Sequence, residues 1–368
     1  MKERYPRLEI NLSALSHNVR EVVNSCAEQG VSLTGVIKGV TGLPEVAKVF
    51  ADGGAEIIGS SRLEQLRDAK EHGIKKPLML LRVPMLSELE EVISLCNYSL
   101  NSEIAVLEAL NIEATKQSKV HYVVLMVDLG DLREGFWDKD EFVEAALRVE
   151  NEMDSLYLAG IGTNVGCYGS VLPTVDKLEE LVELANVIET KIGRKLDIVS
   201  GGATSSLMRI IDKNMPKGIN SLRVGEAILL ARDLWLFYDY DVDNLRKDVF
   251  TLKAEVIESK LKPSHPQGEI GVDAFGKSPA YEDRGMRKRA LIAIGKVDYG
   301  DPSELFPKDA GIEIVGASSD HTILDVEDYD GELKPGDILE FDINYASLVY
   351  LTNCKNVRIG FFEEDEEE

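Results

Sequence analysis

The chain has 368 residues, enough for two domains or for one large barrel with an appendage. Hydrophobic residues make up 44% and charged residues 29%, which fits a globular protein and excludes a disordered chain or a disulfide scaffold. Lys and Arg number 41 against 65 Asp and Glu, a net charge of −24 that argues against nucleic acid or an anionic membrane surface, since both demand a basic face.

In chain order, a first strand RLEINL (7–12) leads into a helix over 13–28 with Ser13 as N-cap. Then an alternation begins. Strands are expected at SLTGVIK (32–38), AEIIGS (55–60), KPLMLLR (76–82), YSLNS (98–102), HYVVLMVD (121–128), LYLAGIGTNVG (156–166), KLDIVSGG (195–202) and SLRVGE (221–226). A helical stretch follows each one, for example PEVAKVFADGG with Pro44 in its first turn. Eight strand–helix units predict a parallel sheet closed into a (β/α)8 TIM barrel. An open doubly wound sheet is the alternative, but no GxGxxG loop follows an early strand and no GxxxxGK[ST] is present.

Beyond residue 235 the segments VFTLKAEVIESKL, GEIGVDAFG, KRALIAIGKVDYG, GIEIVGASS, HTILDVEDY, GDILEFDIN and VYLTNCKNVRIGFF are short, β-rich and split by Gly, Pro and Asp. The organisation expected is a barrel over 13–235 and an all-β domain over 236–360 that takes back strand 7–12. The acidic end 361–368 is expected to be a solvated tail. No apolar run reaches the roughly 18 residues of a membrane span, and MKERYPRLEINL has no signal-peptide apolar region. Cys26, Cys96, Cys167 and Cys354 are scattered with no CxxC, which points to free thiols in a reducing, cytoplasmic setting. None of the five histidines stands at metal-ligand spacing, so no metal is expected.

In a barrel, chemistry belongs at the C-terminal ends of the strands. The first ends in Lys38, within VIKGVTG; desolvation there would lower its pKa and make the amine a nucleophile, although a lysine snorkelling from the barrel mouth has the same spacing. The loop after the fifth strand, DLGDLREG, carries Arg133. The sixth ends GTNVGCYG, with Asn164, Cys167 and Tyr168. The seventh ends SGGATSSL, rich in donors, and the eighth ends in Arg223 and a glycine turn. The loops after strands seven and eight form the usual phosphate pocket of such barrels, and a lysine opposite a phosphate site suggests pyridoxal phosphate.

PRLEINLSALSHNVR, VIKGVTG, GIGTNVG, LRVGEAILL, IAIGKVDYG, IVGASSDHTILDV and GDIL together resemble the alanine-racemase-like family of pyridoxal 5'-phosphate enzymes, over essentially the whole chain. VDLGDLREG, the SGG followed by a Ser-rich turn and GVDAFGKSPAYEDRGMRKRALIAIG are similar to the ornithine/lysine racemase branch. The resemblance implies that Lys38 holds the cofactor covalently and is one of two proton-transfer bases. It implies that Arg223 donates to the pyridine nitrogen, that Thr204, Ser205, Gly225 and Glu226 (the last two through backbone N–H) bind the phosphate, that Asn164 lies under the ring, and that Arg133 serves the phenolic oxygen and the substrate carboxylate. A homodimer with shared active sites is implied too. A decarboxylase of basic amino acids, an alanine or broad-specificity racemase and a non-catalytic cofactor carrier are the competing readings.

The chain departs from the alanine racemase pattern at three positions. Gly42 stands where a tyrosine follows the lysine, Met126 where a carbamylated lysine lies, and Phe275-Gly276 where a catalytic tyrosine precedes a glycine. Phenylalanine moves no proton, so the second base is expected to be Asp273, with Tyr281 and the Asp320–His321 pair as further candidates. Tyr345 is a candidate pocket residue. Loss of the two tyrosines is expected to leave room for a longer side chain. Asp131, Glu134 and Asp273 are the candidate partners of a distal ammonium.

Overall fold

The computed structural model describes residues 3–276, 278 and 280–364. The chain divides into two compact units, Leu15–Arg246 and Met1–Ala14 joined with Lys247–Glu368. The first strand, β1 (Arg7–Asn11), belongs to the second of these. The helix Leu12–Ala27 follows it directly. Its cap is not Ser13 but Asn11, whose side-chain oxygen accepts from the Ala14 N–H at 3.0 Å. Ser13 Oγ instead accepts from the Glu364 N–H.

Eight parallel strands follow: β2 (Ser32–Val36), β3 (Ile57–Ser60), β4 (Leu78–Leu80), β5 (Tyr98–Asn101), β6 (His121–Met126), β7 (Leu156–Gly162), β8 (Ile198–Ser200) and β9 (Ser221–Val224). They form a closed barrel in sequence order, sealed by β2 against β9 with Ser32 opposite Ser221. This is the TIM barrel that the alternation predicts. The strands are shorter than their expected runs: all but β3 stop before the C-terminal end of the run, and β3, β4 and β8 start after its beginning. Met79, Leu100, Val124, Met126, Ala159 and Ile198 pack as one buried cluster. Burial of each larger side chain contributes about 1.5–3 kcal/mol. The surrounding helices are locally specified: Asp138 caps Lys139–Glu152 by accepting from the N–H groups of Asp140 and Glu141, and Thr174 caps Val175–Ile192.

The barrel unit ends later than residue 235. Asn18 holds Arg246 by two hydrogen bonds, Asn18 Nδ2 to its carbonyl and its N–H to Asn18 Oδ1. Tyr240 OH donates to Asp212, and Val242 and Leu245 are buried. The stretch after the helix Asp233–Tyr238 is thereby packed with the barrel residues.

The other unit is built on β10 (Phe250–Pro263), β11 (Met286–Ile292), β12 (Leu305–Pro307), β13 (Glu313–Ala317), β14 (Thr322–Asp325), β15 (Ile338–Ile343) and β16 (Arg358–Phe362). The strand order is β12-β15-β10-β11-β14-β13, and β1 joins it antiparallel to β10 and parallel to β16. The return of strand 7–12 to this unit is thus as expected. Two expected strands are absent. GEIGVDAFG lies in the connection between β10 and β11, where its only secondary structure is a turn at Ala274–Gly276. The run beginning VYLTNC is the helix Tyr345–Asn353, with Ser347, Leu348 and Leu351 buried. The acidic end also differs from a free tail: Phe361 and Phe362 lie in β16, and Glu364 accepts from Asn11 Nδ2 at 2.8 Å. Residues 365–368, the rest of that expected tail, lie outside the described residues. Among the described residues no helix is long and apolar enough to cross a membrane.

Candidate active site

The barrel unit carries Lys38, Arg133, Asn164, Thr204, Ser205, Arg223, Gly225 and Glu226 at or just beyond the C-terminal ends of its strands. Strand β2 stops at Val36, and Lys38 opens a 3-10 turn, Lys38–Val40. Its side chain emerges at the barrel mouth. Desolvation around it lowers the pKa of the amine below the usual lysine value. The positive charges of Arg133 and Arg223 push the same way, and Cys167 and Glu134 oppose them. An amine with a lowered pKa has a larger neutral, nucleophilic fraction at pH 7–8.

Arg223 closes the same mouth from β9 and is only 6% exposed. Its Nη1 donates to Ser200 Oγ at the end of β8, and its Nη2 donates to the Thr163 carbonyl at 2.8 Å. Burial lowers its pKa to about 10, against a smaller opposing effect of Glu134. Among the described residues no carboxylate lies within ion-pairing range of Arg223, and its Nε makes no protein hydrogen bond. That nitrogen is not sealed off from the mouth, so it is a donor open to a further acceptor. Ser200 and Thr163 escape a reading of the sequence; small polar side chains at strand ends are their only signal.

The turns after β8 and β9 are joined. The Ala227 N–H donates to Thr204 Oγ1 at 3.3 Å, and Ser205 Oγ donates to the Val165 carbonyl at 2.9 Å. Glu226 is buried, and its Oε1 accepts from the N–H groups of Arg232 and Asp233. Burial and the nearby Asp233 push the pKa of its carboxyl well above the usual carboxylate value. Its side chain therefore organises the stretch after β9, while its backbone N–H stands at the turn.

The loop after β6 supplies Arg133. Its Nε and Nη2 donate to the two carboxylate oxygens of Glu134, and its Nη1 meets Cys167 Sγ at 3.1 Å. Asn164, half-buried, follows the end of β7.

Residues 10–233 match the family model for the alanine racemase N-terminal domain. The chain belongs to the alanine racemase family. It is 42% identical over 345 residues to the ornithine racemase of Acetoanaerobium sticklandii, covering 94% of this chain and 96% of that protein. It is 40% identical over 345 residues to the lysine racemase of Thermotoga maritima, covering 94% and 95%. The fold is that of alanine racemase from Clostridium difficile, with a TM-score of 0.77 at 20% identity over 100% of this chain and 98% of the other.

The departures from the alanine racemase pattern have structural reasons. Gly42 has φ of +73°, and a Cβ there would lie 2.4 Å from Gln65 Cβ and 2.9 Å from Gln65 Cα. A tyrosine does not fit this backbone, so the space expected at Gly42 is taken by the helix Leu63–Glu71. Met126 is fully buried in the barrel cluster, packed with Met79, Leu100, Val124, Ala159 and Ile198. Phe275 is 47% exposed, beneath the Lys296 amine at 4.5 Å from the ring centroid.

Asp273 lies in the other unit, in a turn where its Oδ1 accepts from the Phe275 N–H at 2.9 Å. Tyr281 stacks edge-on with His265. Asp320 accepts from Ser319 Oγ at 2.7 Å, and among the described residues no hydrogen bond joins it to His321. Tyr345 opens the helix of the same unit.

Proposed function

We propose that the chain is a pyridoxal 5'-phosphate-dependent racemase of basic amino acids, ornithine or lysine. The observation that carries this reading is the pairing, at one barrel mouth, of a lysine with a lowered pKa and a buried arginine that has no carboxylate partner among the described residues. The residues present fit the cofactor. Lys38 would hold it covalently, Arg223 Nε would donate to its ring nitrogen, Asn164 would lie under the ring, and Thr204, Ser205, Gly225 and Glu226 would bind its phosphate. When bound, the cofactor supplies the electron-withdrawing ring and imine that acidify the Cα–H bond. Arg223, with its pKa lowered to about 10, stays charged at neutral pH and would donate a hydrogen bond to that nitrogen without giving up its proton.

Racemisation requires a proton to leave one face of Cα and another to arrive on the opposite face. Lys38 Nζ is the group for one face. For the other we propose Asp273, supplied by a second copy of the chain in a homodimer, and Arg133 as the residue that orients the substrate. The names of the two relatives support the substrate class. The test is Cα-proton exchange in deuterated water, followed by NMR, with L-ornithine, L-lysine and L-alanine in parallel. Exchange with appearance of the D-enantiomer, fastest for a basic amino acid, is expected. Release of carbon dioxide instead would establish a decarboxylase, and no exchange with any of the three would overturn the reading. The dimer is tested by mixing Lys38→Ala with Asp273→Asn: separately inactive variants regain activity together if each site draws on two chains.

A further inference from the structure

The sequence DLGDLREG holds three carboxylates beside Arg133, and the structure gives them different work. Asp128 Oδ1 accepts from the N–H groups of Gly130 and Leu132 at 2.7 and 3.2 Å, folding its own loop. Asp131 is 1% exposed. Its Oδ1 accepts from the N–H groups of Gly166, Cys167 and Val171, and its Oδ2 from Tyr168 at 2.9 Å. Gly169 passes so close that a Cβ would lie 2.5 Å from the Asp131 carbonyl oxygen. Asp131 thus bonds the backbone through both oxygens, and Asp128 through Oδ1. Glu134 differs. Among the described residues its carboxylate is paired only with a side chain, Arg133, and its charge is felt at both Lys38 and Arg223.

This inference rests on the reading of the chain as a racemase of basic amino acids, and it names the residue that selects them. We propose that Glu134 is the specificity-determining residue, and that the Arg133–Glu134 ion pair is a plug which a doubly charged amino acid exchanges for itself. The substrate carboxylate takes the place of Glu134 on Arg133, and the distal ammonium takes the place of Arg133 on Glu134. Neither Arg133 nor Glu134 is left unpaired by this exchange. An amino acid with an apolar side chain opens the same pair but leaves Glu134 without a cation, close to a barrel mouth that is partly desolvated. Discrimination then comes from the cost imposed on the wrong substrate as much as from the ion pair formed with the right one.

The experiment compares L-ornithine with L-norvaline, which has the same carbon chain and no distal ammonium. The ratio of their kcat/KM values is measured for the unaltered holoenzyme, Glu134→Gln and Glu134→Asp. Calorimetric binding of α-methyl-L-ornithine and α-methyl-L-norvaline, which lack a Cα proton, gives a readout independent of turnover. Glu134→Gln is expected to lower the kcat/KM ratio at least tenfold and to weaken α-methyl-L-ornithine selectively. Glu134→Asp, which keeps the charge, retains a ratio above that of Glu134→Gln. Equal losses for both compounds would overturn the proposal, since Glu134 would then serve only to neutralise Arg133. An unaltered protein that racemises no amino acid would overturn the underlying reading, an outcome distinct from one in which Glu134→Gln still prefers ornithine as strongly as the unaltered protein does.

Discussion

Asp131→Asn is the substitution whose effect the structure lets us work out most closely. The carboxylate accepts four backbone N–H groups from residues 166–171, the loop that carries Cys167 against Arg133. If the amide oxygen takes the Oδ1 position, three donors keep a neutral acceptor in place of a charged one. Each loses at most about 1 kcal/mol, and less for the two bonds of 3.3 Å. The amide nitrogen then faces the Tyr168 N–H, a donor against a donor, for about 1–2 kcal/mol. The sum is about 2–4 kcal/mol. For a unit of this size that lowers the melting temperature by about 5–12 °C. Part of the loss is expected to be local, because residues 167–170 are exposed and open before the barrel does. Thermal scanning reads the first effect and thiol labelling reads the second. Cys26 and Cys96 are buried with thiols pushed up to about 12, and Cys354 donates to Asp298, so Cys167 is expected to label first. Its labelling rate should rise at least tenfold in Asp131→Asn. A melting temperature within 2 °C of the parent together with an unchanged Cys167 rate would refute the idea that Asp131 holds this loop.

Lys38→Ala should abolish the visible absorbance of covalently bound cofactor; a band that persists would mean that a different lysine holds it. His121, buried against Ser99 Oγ at 2.8 Å, has its pKa lowered from 6.5 to about 4, chiefly by desolvation. The folded protein then binds fewer protons than the unfolded chain between those values, so stability is lost as pH falls from 6.5 towards 4, by roughly 3 kcal/mol in full. Urea unfolding of the parent and of His121→Gln at pH 7 and 4.5 checks this, and equal pH dependence in the two would sink it. Gly42→Ala combines a left-handed φ with a clash against Gln65 and should destabilise by about 2–4 kcal/mol; Gly42→Tyr should fail to fold or repack the helix Leu63–Glu71. A Gly42→Tyr protein with the parental melting temperature would show that the space is free after all.

The barrel was legible because each strand is a short apolar run bounded by glycine, proline or a cap, and each run is separated from the next by a helix-period segment. The other unit was less so. Tyr345–Asn353 contains Tyr, Leu, Val, Tyr, Leu and Thr, all but the leucines good strand formers, yet it is helical because only Ser347, Leu348 and Leu351 need to be buried, at helical spacing. GEIGVDAFG alternates like a strand, but among the described residues no neighbouring segment offers a ladder, and Asp273 turns it back on itself. Asn11 rather than Ser13 caps the first helix, a two-residue shift that propensity alone does not resolve because both types cap well.

At the mouth of the barrel the same divide separates strand ends from loops. Lys38 and Arg223 could be read from sequence because the barrel rule fixes where a strand end must point. The division of labour among Asp128, Asp131 and Glu134 could not, since nothing in DLGDLREG reveals which carboxylate will meet the backbone of a loop more than thirty residues later. Once that loop is in place, the assignment follows from donor counting. Asp131 has four N–H partners and no capacity left for an ammonium, whereas Glu134 meets one guanidinium that a substrate can replace. Two acids of the same charge, three residues apart, are thus separated into a support and a selector by what the fold has already bonded to each.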